Sequence, residues 1–523
     1  NRYTVAEDEE GLLRRYRSSW KENMFEECEM LAKKLIKIDN QKSLYFHLRG
    51  NCLTQIKLYE EAANAHRQAI SMEKKSEYYN SLSVCLERMD DLIGARKAIL
   101  FSSVLSPYGN SHIDQLTRIC IRAGDTELGL ISIMNRWNHK REMERCKTEL
   151  EALFKHSKVD LKQILHIPVM KDFTEKDLDR IYSQLTNFES NHSIRKLIKK
   201  QITCRNENYE LLAQNFLEIL NKNKESNKSI VHSTERYSID GKTKLGVGGL
   251  ADRVKGAATC MIIAASIGAK FQFDWQTPFR LTDFFEIPDE FVFNDERGEY
   301  PGINWIDSGL STGIRDSLSN HKVGSIFSDD TNIINCNILS LEVLKNTTNK
   351  TLEKFSNLGR VFWVGTIFRI LDYKPGIYEL GALISFLELK DYFRHTVGVQ
   401  FRLGGKREGW DDPVLDNLEN LEDILISAIS GKKGKSLILF ASDSQEAREK
   451  ALNIDLKDCE IISMGIPISH VDRYSPQDAE LGFSSVLLEN YCLSLCDEIG
   501  IRKGAFGQMA ANRCFTESIN LGK

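Results

Sequence analysis

The chain has 523 residues, more than a single hydrophobic core usually supports, so we expect two or more domains. Its hydrophobic content of 41% and charged content of 28% are those of a globular protein, and a formal net charge of −4 argues against a general nucleic-acid-binding protein. No apolar stretch of the sequence reaches the length that a transmembrane helix needs.

The sequence contains 12 cysteines, scattered along its whole length. Cys492 and Cys496 lie four residues apart in an apolar segment, a spacing that indicates buried helical residues rather than a zinc or redox site. We therefore predict no metal site, and free thiols of this kind are typical of a reducing compartment.

The N-terminal segment contains an internal repeat. Bulky residues at Phe25, Tyr59 and Leu92 recur at intervals of 34 and 33 residues. A small residue follows each of them three positions later, and a fourth copy continues the series: Cys28, Ala62, Ala95 and Gly129. This period resembles that of the tetratricopeptide repeat (TPR), whose helical hairpins bury their faces only by stacking. The pattern predicts a TPR-like solenoid from about residue 9 to residue 140 that binds a protein partner or a second copy. A generic helical bundle is the alternative.

A helical connector is predicted between residues 141 and 228, where Lys, Glu, Leu and Ile dominate. The exact Asp-x-Asp sequence Asp177–Asp179 falls in this connector and is interpreted as a helix surface. The polar run Asn221–Lys228 predicts an exposed loop and a domain boundary.

After about residue 229, short β-rich runs alternate with helical stretches, which is typical of parallel sheets with crossover helices. The predicted strands are Lys270–Trp275, Val361–Val364, Val397–Arg402, Leu437–Asp443 and Cys459–Ile462. The length of this region favours two Rossmann-like halves, at residues 229–390 and 391–523.

A glycine-rich segment, Gly246–Arg253, precedes a helical run and could bring the backbone and a helix N-terminus close to a phosphate. Gly246, Gly248 and Ala251 formally fit the dinucleotide-binding pattern, with Asp274 ending the next strand. An NAD-dependent oxidoreductase is therefore an alternative, although the preceding Lys242–Leu245 is a poor buried strand.

Arg402 follows a hydrophobic strand and precedes two glycines. Ligands of open α/β sheets bind beyond the carboxyl ends of the strands, where a guanidinium can grip a diphosphate and stabilise a leaving nucleotide. Ser442–Ser444 and Gly504–Ala510 stand at comparable places in the predicted second half.

In their order along the chain, these segments resemble the motifs of the GT-B fucosyltransferase superfamily, which includes the nodulation, core α1,6-, plant xyloglucan and protein O-fucosyltransferases. The matching segments are Gly248–Arg253, Lys270–Trp275, Gln400–Arg402, Ser442–Ser444, Leu488–Asp497 and Gly504–Gly507. The resemblance implies an α + α/β architecture with the TPR-like solenoid followed by a GT-B fold. It also implies an inverting enzyme that uses GDP-fucose without a cofactor or a metal held by Asp-x-Asp.

Carried onto this chain, the resemblance implies that Arg402 contacts the donor diphosphate and that the other donor-site residues surround the nucleotide. These are Gly248, Gly249, Arg253, Ser442, Asp443, Ser444, Phe506, Gly507 and Gln508. The chain departs from the family pattern at Leu403 and Gly405, which replace an arginine and an acid, and at Gly504–Ala505, which replaces two serines.

An inverting displacement needs a general base for the acceptor hydroxyl, and we predict Asp252 first and His470 second. The predicted function is transfer of a sugar to a hydroxyl of a glycan or protein. The resemblance implies that this sugar is fucose. A catalytically impaired TPR scaffold is a further alternative, since the motif after Arg402 is weakened. We expect a cytoplasmic location, including the membrane face, or the secretory lumen if the N-terminus, here Asn1, has been truncated.

Overall fold

The computed structural model describes residues 8–156, 174–186, 199–202, 205–234, 237–239, 242–244, 249–276, 280–294, 302–305, 323, 327, 331–347, 349–407, 410–468 and 479–522. Within this part of the chain, an N-terminal stack of helices is followed by two parallel β-sheets covered by helices. No helix of these residues is both long and apolar enough to cross a membrane.

Four helical hairpins make up the stack. Their helices are α1 (Glu9–Lys21), α2 (Phe25–Ile38), α3 (Ser43–Gln55), α4 (Tyr59–Met72), α5 (Ser76–Arg88), α6 (Leu92–Leu105), α7 (Ile113–Ala123) and α8 (Thr126–Lys140). Each hairpin turns at a residue with positive φ: Asn23 at 58°, Lys57 at 68°, Asp90 at 63° and Gly124 at 69°. The backbone therefore repeats the period of the sequence.

The small repeat residues lie where neighbouring helices approach each other. Cys28, Ala62 and Ala95 are completely buried. A Cβ atom added to Gly129 would lie 2.9 Å from Leu153 Cδ1, closer than side chains normally pack. The fourth position is therefore glycine because the next helix, α9 (Met143–His156), packs directly on it.

Two further described helices connect the stack to the sheets: α10 (Glu175–Thr186) and α11 (Glu207–Lys222). Leu178 is buried, while Asp179 accepts hydrogen bonds from Trp137 Nε1 and Arg141 Nη1. The Asp-x-Asp sequence is thus part of helix packing. The predicted loop at 221–228 is shorter than expected, since α11 continues to Lys222.

The first sheet has four parallel strands. In chain order they are β1 (Ser229–Ser233), β4 (Lys270–Asp274), β6 (Gly302–Trp305) and β7 (Thr331–Cys336). Their spatial order in the sheet is β4-β1-β7-β6. Helix α12 (Leu250–Ile267) covers the sheet and packs on β1, β4 and β7. Its Gly256 lies against the carboxyl end of β7, because an added Cβ would be 1.8 Å from the carbonyl oxygen of Cys336.

Smaller strands lie among the strands of the first sheet in sequence or just after it, and three described α-helices precede the second sheet. They are the hairpin β2 (Tyr237–Ile239) and β3 (Lys242–Lys244), the pair β5 (Phe285–Glu286) and β8 (Asp372–Tyr373), and the helices α13 (Glu342–Lys345), α14 (Arg360–Ile370) and α15 (Ile377–Lys390). The prediction of a strand at Val361–Val364 was wrong. These residues belong to α14, which packs between α12 and the C-terminal helix α19 (Phe506–Arg513), so its apolar residues are buried on all sides.

The second sheet has five parallel strands. In chain order they are β9 (His395–Phe401), β12 (Ser436–Ser442), β13 (Cys459–Ile462), β14 (Glu498–Ile501) and β15 (Ile519–Asn520). Their spatial order in the sheet is β13-β12-β9-β14-β15. Between β9 and β12 the chain forms the hairpin β10 (Gly404–Arg407) and β11 (Trp410–Val414).

Helices cover both faces of the second sheet: α16 (Leu421–Ile429) and α17 (Gln445–Leu452) on one, α18 (Ala479–Leu495) and α19 on the other. Alternate residues of β12 point to the two faces. Ile438 and Phe440 share a core with α16 and α17, while Leu437 and Leu439 share the larger core that includes α18.

The helical stack contacts the second half of the chain directly, in addition to the covalent connection between them. Helix α15 contacts both α6 and α8. Across this interface Arg96 pairs with Glu388 at 2.8 Å, and Tyr108 donates a hydrogen bond of 2.9 Å to Glu379. Glu379 is 7% exposed, and this burial raises the pKa of its carboxyl group.

Candidate functional site

A crevice of about 180 Å³ separates the N-terminus of α12 from the carboxyl edge of the second sheet. The start of α12, the segments that follow β9, β12 and β13, and the start of α19 meet here, as expected for ligand sites of open α/β sheets. The lining residues are Gly249, Leu250, Ala251, Asp252, Gln400, Arg402, Ala441, Ser442, Asp443, Arg448, Ile466, Pro467, Ile468, Val486, Glu489, Ala505 and Phe506.

Arg402 lies immediately after β9 and borders the crevice. Two residues earlier, the buried Gln400 accepts a 2.7 Å hydrogen bond through Oε1 from the backbone N–H of Gly507. This contact fixes the first turn of α19 beside the end of β9. Gly504 has a φ of 102°, and a Cβ there would approach Arg402 Cδ to 3.2 Å, so a glycine lets the two segments meet.

Asp443 holds the turn that follows Arg402. Its carboxylate accepts hydrogen bonds from the backbone N–H groups of Leu403, at 2.8 Å, and Gly404, at 3.0 Å. The next residue, Ser444, caps α17 by accepting a hydrogen bond from Ala447 N at 3.2 Å. The carboxyl ends of β9 and β12 are therefore fixed to each other at the crevice.

A buried ion pair forms the inner wall. Arg448 and Glu489 are 4% and 6% exposed, and Arg448 Nη2 lies 3.0 Å from Glu489 Oε1. The guanidinium also donates to the carbonyl oxygens of Ser442, at 2.9 Å, and Met464, at 2.8 Å. Burial raises the pKa of Glu489, and the adjacent Arg448 opposes that shift.

The opposite wall is the start of α12, capped by Gly249. The first N–H groups of a helix have no partner within the helix, and the helix dipole favours an anion there. Asp252 lies in this first turn and pairs with Lys255 Nζ at 2.6 Å. Arg253 is only 3% exposed and does not line the crevice.

The segment Ile466–Ile468 closes one side of the crevice, and the helical stack supports it directly. Gly465 donates a 2.8 Å backbone hydrogen bond to the carbonyl oxygen of Leu105, the last residue of α6. Lys74 Nζ donates to the carbonyl oxygen of Ile461 at 3.2 Å. The N-terminal stack therefore supports this wall from behind, while all the lining residues belong to the second half of the chain.

The residues that the sequence singled out fall into three groups. Those that line the crevice are Gly249, Asp252, Arg402, Ser442, Asp443 and Phe506. Those described but absent from its lining are Arg253, Ser444, Gly507 and Gln508. Gly248 and His470 lie outside the described residues.

No protein-family model matches the chain, and no curated protein is significantly similar to it in sequence. Among solved structures, it shows a weak likeness to MamA protein, with 12% identity and a TM-score of 0.28 over 35% of this chain and 95% of that one. YrrB, described as a TPR protein with an unusual peptide-binding site, has 13% identity and a TM-score of 0.27 over 34% of this chain and 88% of its own. A variant of Arabidopsis thaliana FUT1 in complex with GDP has 13% identity and a TM-score of 0.37 over 61% of this chain and 76% of its own.

Sequence reasoning missed Arg448 and Glu489 as crevice residues. The available signal was Glu489, an acid within the apolar run of α18, since a buried carboxylate needs a partner. Among the described residues, no group of three or more His, Cys, Asp or Glu side chains could hold a metal ion. Arg402 and the N-terminal turns of α12 and α19 border the crevice, and groups of this kind can bind an anion, although in α19 the N–H of Gly507 is already donated to Gln400.

Proposed function

We propose that the chain is an inverting glycosyltransferase with a GT-B arrangement, and that it binds a nucleoside-diphosphate sugar in the crevice. The observation that carries the proposal is the juxtaposition of Arg402 with the N-terminal turn of α12 across the crevice. GDP-fucose is the proposed donor because the motifs that border the crevice resemble those of fucosyltransferases.

Among the described lining residues there are three carboxylates, and each already has a partner. Asp252 pairs with Lys255, Asp443 accepts hydrogen bonds from two backbone N–H groups, and Glu489 pairs with Arg448. Their negative charge is therefore partly compensated where a diphosphate would bind.

Arg402 and the helix N-terminal turns at Gly249 and Ala505 present positive charge and N–H donors to the same space. The nearby Arg448 is already matched by Glu489, so it contributes rigidity rather than free charge. The apolar residues Ile466, Val486 and Phe506 offer a surface for a nucleoside.

In the proposed reaction, the acceptor hydroxyl attacks the anomeric carbon while the bond from that carbon to the diphosphate breaks. Arg402 and the helix N–H groups stabilise the negative charge that grows on the leaving diphosphate. Asp252 is the proposed base, because it borders the crevice and its carboxylate can take the hydroxyl proton. Its ion pair with Lys255 would hold the carboxylate in place.

The proposed roles in acceptor and donor binding are assigned to the predicted domains as follows. The repeats at 1–140 and the connector at 141–228 would hold the acceptor, a partner or a second copy. The region 229–390 would face the acceptor, and the region 391–523 would hold the donor.

A dinucleotide-dependent oxidoreductase is less consistent with the chain path. In that fingerprint, a strand of the parallel sheet leads straight into the glycine turn and its helix. Here β1 ends at Ser233, the antiparallel β2–β3 hairpin follows, and α12 begins only at Leu250.

Turnover assays test the proposal. The full chain should release GDP from GDP-fucose in the presence of a panel of glycan and peptide acceptors. Arg402→Ala should lower the rate about 10²–10³-fold, as the loss of one charge-stabilising donor does elsewhere. Arg394→Ala is the matched control, since Arg394 is exposed at the opposite end of β9.

Three outcomes would contradict parts of the proposal. Equal rates for wild type and Arg402→Ala would remove the role of Arg402. Binding of GDP without turnover on any acceptor would favour the impaired scaffold, and a response to NAD with none to GDP would favour the oxidoreductase.

A further inference from the structure

A second, smaller cavity lies outside the crevice and shares none of its lining residues. It is enclosed by α14, α18, α19 and the segment around β8, and it has a volume of about 50 Å³. The polar and aromatic residues that line it are Lys199, Phe368, Arg369, Asp372, Tyr373, Tyr491 and Arg513, so one carboxylate borders it together with three basic side chains. One water position needs roughly 10–15 Å³, so the space accepts a group of a few heavy atoms and not a nucleotide.

Arg513, the last residue of α19, is 1% exposed. Its guanidinium carbon lies 3.7 Å from the ring centroid of Tyr491 and 4.1 Å from that of Phe368, so the group is held between two aromatic faces. Nη1 donates to Ser494 Oγ at 2.7 Å and to the carbonyl oxygen of Asn490 at 3.2 Å. The orientation of the guanidinium is therefore fixed.

The other two nitrogens of Arg513, Nε and Nη2, have no hydrogen-bond partner among the described residues. They form one edge of the planar guanidinium, and this edge matches the spacing of two oxygens of a phosphate or a carboxylate. Arg369 adds a third donor to the same cavity, because its Nη2 also lacks a partner within the described part of the chain.

The charges around the cavity do not balance. Arg369 pairs with Glu210 at 2.6 Å, and Lys199 lies 3.6 Å from Asp372. No described carboxylate forms an ion pair with Arg513, and burial lowers the pKa of its guanidinium. An unmatched buried charge is costly to a fold, and the flanking rings compensate for it only in part.

We propose that this cavity binds a small oxyanion of the phosphate or carboxylate class, gripped by the Nε–Nη2 edge of Arg513 and by Arg369 Nη2. The inference does not depend on the glycosyltransferase proposal. The anion would anchor the C-terminal end of α19, the helix whose first residue, Phe506, borders the crevice.

The test is calorimetric titration of the full chain with inorganic phosphate and, separately, with acetate, at constant ionic strength. Wild type should bind one equivalent that depends on Arg513, and Arg513→Met, which keeps much of the side-chain volume, should bind at this site at least tenfold more weakly. Arg402→Ala removes anion binding in the crevice, so the equivalent that depends on Arg513 should persist in this variant with unchanged affinity.

A second variant keeps the test decisive if Arg513→Met does not fold. Lys199 lines the cavity and pairs with Asp372, and its side chain is 59% exposed, so Lys199→Ala should fold normally. Because it leaves the Asp372 carboxylate without this cation beside the anion, Lys199→Ala should bind the anion several-fold more weakly. Binding of phosphate alone assigns a tetrahedral anion to the site, and binding of both probes assigns the wider class. The proposal is overturned if neither anion binds, if a folded Arg513→Met or Lys199→Ala variant binds as tightly as wild type, or if Arg402→Ala abolishes binding.

Discussion

Substitution of Gly465 by alanine should damage the crevice from the side of the helical stack. Gly465 precedes the wall segment Ile466–Ile468, and its N–H donates to the carbonyl oxygen of Leu105 at 2.8 Å. A Cβ atom at this position would lie 2.4 Å from that same oxygen. Because the contact is with backbone at the end of α6, no side-chain rotation can relieve it.

The size of the effect follows from this geometry. A carbon and an oxygen in contact need well over 3 Å, so the wall segment must move by most of an ångström and give up the hydrogen bond to Leu105. Overpacking of this kind costs about 1–3 kcal/mol and a lost backbone hydrogen bond about 1 kcal/mol, so we expect a total of about 2–4 kcal/mol. Affinity for GDP should fall as well, since Ile466 borders the crevice.

Urea unfolding and calorimetric titration with GDP would measure both effects on Gly465→Ala. Gly359→Ala is the matched control, because Gly359 has a φ of −84° and nothing lies within 4 Å of the added Cβ. Unchanged stability and unchanged GDP affinity in Gly465→Ala would refute the argument that the stack shapes the crevice wall.

Three other predictions concern single residues. Gly256→Ala should destabilise the chain by more than about 3 kcal/mol, as its Cβ would meet the Cys336 carbonyl oxygen at 1.8 Å; a melting temperature equal to that of wild type would contradict this. Asp443→Asn should weaken GDP binding about tenfold, because an amide accepts only one of the two backbone hydrogen bonds after Arg402; equal affinity in calorimetry would contradict this. Burial and the neighbouring His47 lower the pKa of His66 to about 3, so its contribution to stability is present above pH 6.5 and is lost as the pH falls toward 3. Between pH 7 and pH 5 that loss is about 2 kcal/mol, and urea unfolding should show a smaller pH dependence for His66→Gln but not for His139→Gln, whose histidine is exposed.

The helical repeats could be predicted because their physical cause is local. Two helices of a hairpin can approach closely only at a small residue, and this requirement recurs at Cys28, Ala62, Ala95 and Gly129. The positive-φ turns follow the same period, but Lys57 has no sequence signal for such a conformation. The predicted domain boundaries stay predictions.

The first sheet was harder to predict than the second. Val361–Val364 is apolar at every position, and a fully buried helix gives the same pattern as a buried strand. The central strand β1, Ser229–Ser233, is short and contains His232 and two serines, so it lacks the apolar run that marked β9 and β12. A polar residue such as His232 can be buried here because neighbouring groups form hydrogen bonds with it. His232 accepts a hydrogen bond from Trp275 Nε1 at 2.6 Å and donates one to the carbonyl oxygen of Cys336 at 2.8 Å.

The crevice could be predicted in part for a similar reason. Arg402 and Asp443 follow strands that are recognisable in sequence, and parallel strands bring their carboxyl ends to one edge. The contact between Gly465 and Leu105 joins residues far apart in sequence, and no local pattern marks it. Arg448 looks like a solvated residue of a charged helix, and only the fold places Glu489 beside it.

The central claim is that the crevice holds a nucleoside diphosphate gripped by Arg402, and equilibrium binding of GDP measures this most directly. Calorimetry on the full chain should give one site, with Arg394→Ala unchanged and Arg402→Ala weaker by about 10- to 100-fold, the usual effect of losing a hydrogen bond to a charged group. Absence of GDP binding to the wild-type chain, or equal affinity in the Arg402→Ala variant, would contradict the account.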